Sequence, residues 1–166
     1  MIQDKRVHAM SPAADAVALR MADHEEVKSL FARYDRLVID GAAGESRHEL
    51  AESICVALTV HITAEEELFY PAALGAIGAQ DVLREATAAH LGARHLIADI
   101  VNMTPVDPLL DATVKALGQR VERHMRQQEE GLIPKLRAAG LDLGVLGARI
   151  AERKSELRAE MEEVGA

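Results

Sequence analysis

The sequence has little of what disulfides, base-stacking surfaces and membrane spans require. One of its 166 residues is cysteine, so no disulfide can form within the chain, and a reducing, cytoplasmic setting is expected. Tryptophan is absent and aromatic residues make up 2%, which leaves few rings for bases to stack on. No apolar run approaches the roughly 20 residues of a spanning helix. The first ten residues lack the apolar region of a signal peptide.

Basic residues are also in deficit. Lysine and arginine number 19 against 27 acidic residues, which gives a formal net charge of -8. Nucleic acids and anionic membranes both require a basic face on their protein partner, so this balance argues against either one. Apolar residues make up 49%, and a chain of this length can bury one core, so we expect a single domain. The abundance of alanine, leucine, glutamate and arginine favours helices over strands.

Apolar residues recur at steps of three and four, the period of an amphipathic helix, along five segments of the chain. Capping residues, prolines and glycines place these helices at residues 11–40, 46–70, 81–103, 107–134 and 142–164. The first start rests on Ser11-Pro12, and the second on the capping-box pattern from Ser46 to Glu49. Residues 71–80, with a proline and two glycines, predict a connector.

Four long helices with short connections predict an all-α, up-down-up-down four-helix bundle. The fifth helix is predicted to pack outside it. The expected organisation is therefore an N-terminal arm (residues 1–13), a metal-binding bundle (residues 14–135) and an additional C-terminal helix packed on the bundle (residues 136–166).

A histidine interrupts the apolar stripe of each bundle helix. At about 1.5 Å of rise per residue, each lies roughly 14–18 Å from the same pole of an alternating bundle, so the four imidazoles should share one cross-section. Four unpaired buried imidazoles would leave many polar groups unsatisfied, whereas a bound cation satisfies them. Neutral imidazole is a good ligand for iron, zinc and copper. The alternative is four neutral core histidines. The four residues are His24, His61, His90 and His124.

A carboxylate accompanies one of these histidines. Glu65 follows His61 by one helical turn and lies on the same face, whereas Glu66 and Glu67 lie off the stripe. A glutamate in that place can bridge two metals, as helix-borne carboxylates do in di-iron bundles. The alternative is that Glu65 is solvated like its two neighbours.

Taken in order, these elements resemble the hemerythrin-like, or HHE cation-binding, proteins. The resemblance rests on Asp23-His24, on the His61-to-Pro71 segment, on His90, and on the His124-to-Pro134 segment. The second and fourth segments repeat each other as histidine, nine residues, proline. Covering residues 15–135, the resemblance implies a bundle with a non-haem di-iron cofactor, oxo- or hydroxo-bridged. Zinc could occupy the same histidines. The implied metal ligands are His24, His61, Glu65, His90 and His124.

One departure from that family lies in the fourth helix, where the repeat aligns Glu65 with Gln128, a neutral amide. Three outcomes are open, and the sequence favours the first. Gln128 could lie just outside the ligands and hydrogen-bond a metal-bound oxygen species. A local π-bulge could instead bring Glu129 inward. The site could also hold one metal firmly and a second weakly.

The other departure lies in the third helix. Hemerythrins proper carry two ligand histidines one turn apart there, whereas this chain has His90 and His95, five residues apart. Five residues rotate by about 140° from a whole turn, so His95 should leave the stripe, although it stays a candidate ligand. Tyr34 and Tyr70 lie roughly 14–15 Å along their helices from the histidine layer, so neither is expected to be an easy ligand. His48 and His8 are expected in solvent.

The implied function is to bind or react with dioxygen, peroxide or nitric oxide, as a carrier or sensor or as a peroxide-consuming enzyme with catalase- or oxidase-like activity. Two alternatives remain. One is an iron storage or donation protein, and the other is a metal-free helical module that binds a partner through its last helix. A small-molecule ligand is expected, with no nucleic acid and no membrane as partners. The oligomeric state stays open, and a homodimer is one candidate.

Overall fold

The computed structural model describes residues 14–165, which form helices and no strands. The predicted all-α bundle is confirmed. The predicted arm at residues 1–13, with the start signal Ser11-Pro12, lies outside the described residues. Two π-helical turns, Glu65–Phe69 and Gln128–Leu132, join α2 to α3 and α5 to α6. The seven α-helices are α1 (Ala16–Ile39), α2 (Gly44–Ala64), α3 (Tyr70–Ile77), α4 (Gln80–Asn102), α5 (Leu110–Gln127), α6 (Ile133–Ala138) and α7 (Leu143–Gly165).

Side-chain contacts show that neighbouring helices of the bundle run antiparallel. The end of α1 meets the start of α5 where Tyr34 donates a hydrogen bond to Asp111. The start of α2 meets the end of α4 where His48 donates a hydrogen bond from Nε2 to the Met103 carbonyl. His48 is therefore half-buried, and its predicted place in solvent is wrong. The sequence signal failed here because the partner carbonyl lies on a distant helix end.

Two apolar clusters fill the interior of the protein. One lies in the half of the bundle that contains Tyr34, Leu58 and Leu117. The other brings α7 and the two π-helical turns together, with Phe69 and Leu132 almost fully buried. On each of the four long bundle helices, the stripe histidine lies close to where one cluster gives way to the other, so the imidazoles are enclosed on both sides.

Helices two and four do not end at their prolines, so the predicted connector at residues 71–80 is wrong. The Tyr70 N–H bonds to the Glu65 carbonyl across five residues, and α3 then begins with Pro71 in its first turn. A proline there removes no helical hydrogen bond, because first-turn N–H groups have no partner within the helix. The same break precedes Pro134 at the start of α6. The helical run ends instead at Gly78, whose φ of 61° is left-handed.

Three helix starts are set by contacts that the described residues show. Asp15 caps α1 through a hydrogen bond from the Ala18 N–H, so the helix begins at Ala16. The predicted capping box at Ser46 is wrong, because α2 begins at Gly44, where the Pro105 carbonyl packs so closely that a Cβ would clash. Asp107 accepts the Leu109 N–H in a turn, and α5 begins at Leu110.

The last helix, α7, packs against α1 and α2. Gly147 allows the close approach, since a Cβ there would lie 2.7 Å from the Ala14 carbonyl oxygen and 2.8 Å from the Ala16 nitrogen. Leu146, Ile150 and Leu157 are buried in the cluster that contains Phe69. Among residues 14–165, no helix is both long enough and apolar enough to cross a bilayer.

The single thiol is expected to be unreactive in the folded protein. Cys55 is buried in the core, and burial, with a smaller contribution from Glu52, raises the pKa of its thiol to about 12. At pH 8 only about one thiol in ten thousand is then ionised, and the thiolate is the reactive form. An aromatic disulfide reagent should therefore release no colour from native protein and one equivalent per chain from protein in denaturant. Rapid labelling of the native protein would contradict the buried placement.

Candidate metal centre

The structure brings the four stripe histidines into one cluster in two pairs. The ring centroids of His24 and His61 are 5.6 Å apart, and those of His90 and His124 are 4.8 Å apart. All four side chains are nearly or completely buried. Each histidine lies on a different helix. The four rings meet because each helix turns the face that carries its histidine toward the interior.

Glu65 lies between the two histidine pairs. Its Oε1 is 2.7 Å from Nε2 of His61, and its Oε2 is 3.0 Å from Nε2 of His90 and 4.0 Å from Nε2 of His124. Two sets of three groups could therefore each hold a cation, with ligand atoms within 4.8 Å of one another. The sets are His24, His61 and Glu65, and Glu65, His90 and His124. They share one member, the carboxylate of Glu65.

Three of the imidazoles are held from outside by carboxylates. Nδ1 of His24 donates a hydrogen bond of 2.7 Å to Glu129, and Nδ1 of His61 donates one of 3.2 Å to Asp23. Nδ1 of His90 donates one of 3.0 Å to Glu66. A carboxylate only accepts, so the proton stays on Nδ1 and the Nε2 lone pair is free to face inward. Carboxylates hold metal-binding histidines in the same way.

Several polar atoms that face the cluster are buried without a hydrogen-bond partner. They include Nε2 of His24, Nε2 of His61 and both carboxylate oxygens of Glu65. Buried polar groups are rarely left unpaired, because desolvation without compensation costs about 1–3 kcal/mol each. Imidazole nitrogens and carboxylate oxygens are the donor atoms that iron and zinc take. The residues present therefore fit a metal centre.

A buried arginine approaches the shared carboxylate. Nη2 of Arg20 lies 2.7 Å from Oε1 of Glu65, without the angles of a hydrogen bond, and its guanidinium stacks 3.9 Å from the centre of the Phe69 ring. Burial alone would raise the pKa of Glu65, but the charges of Arg20 and His61 hold that pKa well below its usual range. Glu65 is thus an anion at neutral pH, ready to accept cations.

Burial also keeps two of the histidines neutral. It lowers the pKa of His24 to about 4, even though the hydrogen bond to Glu129 opposes the shift, and it lowers the pKa of His124 as well. For His61, burial would lower the pKa, but the carboxylates of Glu65 and Asp23 raise it above normal. Neutral imidazole is the form that binds a metal.

Tyr70 lies at the cluster and not roughly 14–15 Å away, the separation expected from the rise of a regular helix. Its hydroxyl lies 3.4 Å from Nε2 of His124 and within 3.3 Å of Arg20, and it accepts a hydrogen bond from Gln128. In the π-helical turn, five residues make about one full turn, so Tyr70 lies on the same face as Glu65. Its side chain then points back toward the histidines, as helical side chains do.

The two residues that depart from the family pattern have distinct places. Gln128 is buried beside His124 and Tyr70, and its Oε1 has no hydrogen-bond partner. The π-helical turn weighed as an alternative does occur, yet it places Glu129 against the outer nitrogen of His24 and leaves Gln128 facing inward. His95 is exposed on α4 and does not join the cluster.

Arg20 and Glu66 contact the cluster without having been predicted to do so. Arg20 precedes His24 by four residues and so shares its helical face, which is a signal available in the sequence. Glu66 is exposed as expected, but it also binds His90 from another helix, which no local spacing reveals.

A family model matches the part of the chain that carries these residues. The hemerythrin HHE cation-binding domain model matches residues 15–136, which include every histidine and carboxylate of the cluster described above. The chain belongs to the hemerythrin HHE cation-binding family. The resemblance inferred from the sequence is therefore confirmed, and the family model describes a cation-binding domain.

The fold of this HHE protein is also similar to a solved structure. A hemerythrin HHE cation-binding domain-containing protein from Mycobacterium kansasii superimposes with a TM-score of 0.73 and 21% sequence identity, covering 89% of each chain. At this identity the likeness shows the fold alone. No curated protein was found with significant similarity to the chain.

Proposed function

We propose that this HHE protein is a non-haem di-iron protein that binds or reacts with dioxygen, peroxide or nitric oxide. The observation that carries the proposal is the shared position of Glu65, with one oxygen directed to His61 and the other to His90. A carboxylate placed in this way could offer one oxygen to each of two cations. Two ferrous ions would supply open coordination positions for a small oxidant or diatomic ligand.

The ligand set of this site is rich in nitrogen. Four imidazoles surround one inward-facing carboxylate, and the remaining nearby carboxylates bind the outer nitrogens. Fewer anionic ligands stabilise ferric iron less, so such a set keeps iron ferrous more readily than a carboxylate-rich site does. Ferrous iron is the state that binds dioxygen.

The space beside the cluster suits a ligand of a few atoms. A narrow pocket of about 10 Å³ borders His61, His90 and His124 and is lined by Leu58 and Val121. That is close to the least volume that holds one water molecule. The apolar walls exclude bulk water, while Arg20 and Tyr70 place polar hydrogens near the shared carboxylate.

Metal analysis of untagged protein, combined with an absorption spectrum, tests this proposal. We expect about two irons per chain and a charge-transfer band in the oxidised protein. Mixing the ferrous protein with dioxygen and then with peroxide separates the two roles: a reversible band supports binding, and catalytic oxygen evolution supports peroxide turnover. Iron that passes to an apo-acceptor protein would favour storage or donation instead. One zinc per chain without colour would contradict the proposal.

A further inference from the structure

The last helix places a buried lysine beside the candidate metal centre. Lys154 of α7 has a side chain only 11% exposed, and its ammonium forms an ion pair with Asp23, which is 17% exposed. A lysine is seldom buried without an anion, because desolvating the charge is unfavourable. The other oxygen of Asp23 accepts the hydrogen bond from Nδ1 of His61. Lys154, Asp23 and His61 thus form a chain of contacts that leads to the inward-facing Nε2.

The position of α7 is fixed independently of this ion pair. Gly147 packs directly on the backbone at the start of α1, and Ile150 lines a small pocket together with Arg20, His61 and Glu65. This helix, Leu143–Gly165, lies beyond residues 15–136, the part that the family model matches. A segment outside the matched domain therefore contributes a charged group to the surroundings of the metal centre.

Two other histidines have similar contacts, but their outer cations are far more exposed. Glu129, which binds His24, lies 3.8 Å from Lys28, whose side chain is 43% exposed. Glu66, which binds His90, lies 2.8 Å from Arg94, whose side chain is 38% exposed. Water and salt screen exposed charges and screen buried ones much less. Of the three outer cations, Lys154 should have the strongest effect on its histidine.

We propose that Lys154 is a positioning residue of the metal centre, which acts through Asp23 to limit how strongly His61 donates to a bound iron. The ammonium withdraws negative charge from the Asp23 carboxylate, so this carboxylate polarises the Nδ1–H bond of His61 less. A weaker imidazole donor favours ferrous over ferric iron. The inference rests on the proposed function and goes beyond it by assigning a role to the C-terminal helix.

The test is the midpoint potential of the iron-loaded full-length protein. Lys154→Met keeps an unbranched side chain only one atom shorter and removes its charge. It should therefore lower the midpoint potential and raise the ferric-to-ferrous ratio at a fixed potential by about tenfold. Lys154→Arg keeps the positive charge, so it should keep the wild-type midpoint potential. Lys28→Met and Arg94→Met should change that ratio by less than about threefold, because their charges are screened.

A second variant keeps the test decisive if Lys154→Met folds poorly. Asp23→Asn removes the acceptor charge and should shift the potential upward, opposite to Lys154→Met. Simple loss of packing gives no reason for opposite signs. Two results would overturn this inference and leave the proposed function standing, provided that iron binds. One is a midpoint potential for Lys154→Met equal to that of Lys28→Met. The other is a shift of the potential in the same direction in Lys154→Met and Asp23→Asn. A wild-type protein that binds no iron overturns both the inference and the proposed function.

Discussion

Glu65→Gln is expected to abolish the binding of two cations by one chain. The amide has no negative charge to share between the sets that contain His61 and His90, so both sets lose their common anionic ligand. We expect the affinity for cobalt(II), measured by chelator competition, to fall more than about 100-fold, beyond the loss typical of changes outside the ligand shell. The visible bands of bound cobalt report the environment of the ions that remain.

The matched control for this change is Glu67→Gln. Glu67 lies two residues further along the same π-helical turn, but it is exposed and forms an ion pair with Arg153 on α7. The Glu67→Gln substitution should leave cobalt binding unchanged. Equal cobalt stoichiometry in wild type and Glu65→Gln would contradict the shared position of Glu65.

Folding must be checked separately in this variant. Glu65→Gln leaves Arg20 buried without its anion, and breaking a buried ion pair costs about 3–5 kcal/mol. The double variant Arg20→Met and Glu65→Gln removes both charges and should recover much of that stability in chemical unfolding, but no cobalt binding. Recovery of binding in the double variant would show that Arg20, not the missing carboxylate, had caused the loss.

Gln128→Glu is expected to raise the affinity for cations, whereas Glu65→Gln lowers it. A carboxylate in this buried position, beside His124 and Tyr70, adds a second inward-facing anion. Without metal it is a buried charge, so the free energy of unfolding of the cation-free protein should fall by about 2–4 kcal/mol. With cobalt(II) the added ligand should raise affinity roughly tenfold to 100-fold, and saturating metal should restore stability because binding favours the folded state.

Gln127→Glu is the control for that variant, since it adds the same charge one residue earlier on the exposed face of α5. It should alter neither the cation-free stability nor the affinity by much. Thermal unfolding with and without cobalt separates the two variants. If Gln128→Glu bound cobalt no more tightly than Gln127→Glu, position 128 would not face the cations.

The helices and the histidine cluster follow from the sequence because both are periodic. Steps of three and four place His24, His61, His90 and His124 on the buried faces, and the alternating chain direction sets them at one level. The arrangement of four long helices with a further C-terminal helix needs only this period and the short connections between helices.

What local spacing missed depends on departures from the regular helix and on distant contacts. Pro71 predicted the end of a helix, but the π-helical turn before it connects α2 directly to α3. The same turn directs Tyr70 toward His124. Lys154 reaches Asp23 from α7, more than a hundred residues away. No periodicity encodes such a meeting, because it depends on how whole helices pack.

In the proposed function, two iron ions would share Glu65 in the middle of the bundle. Anomalous diffraction at the iron edge, from crystals of the iron-loaded protein, tests it most directly. We predict two peaks, one between Glu65 and the pair His24 and His61, and the other between Glu65 and the pair His90 and His124. A single peak, or peaks away from these four rings, would contradict it.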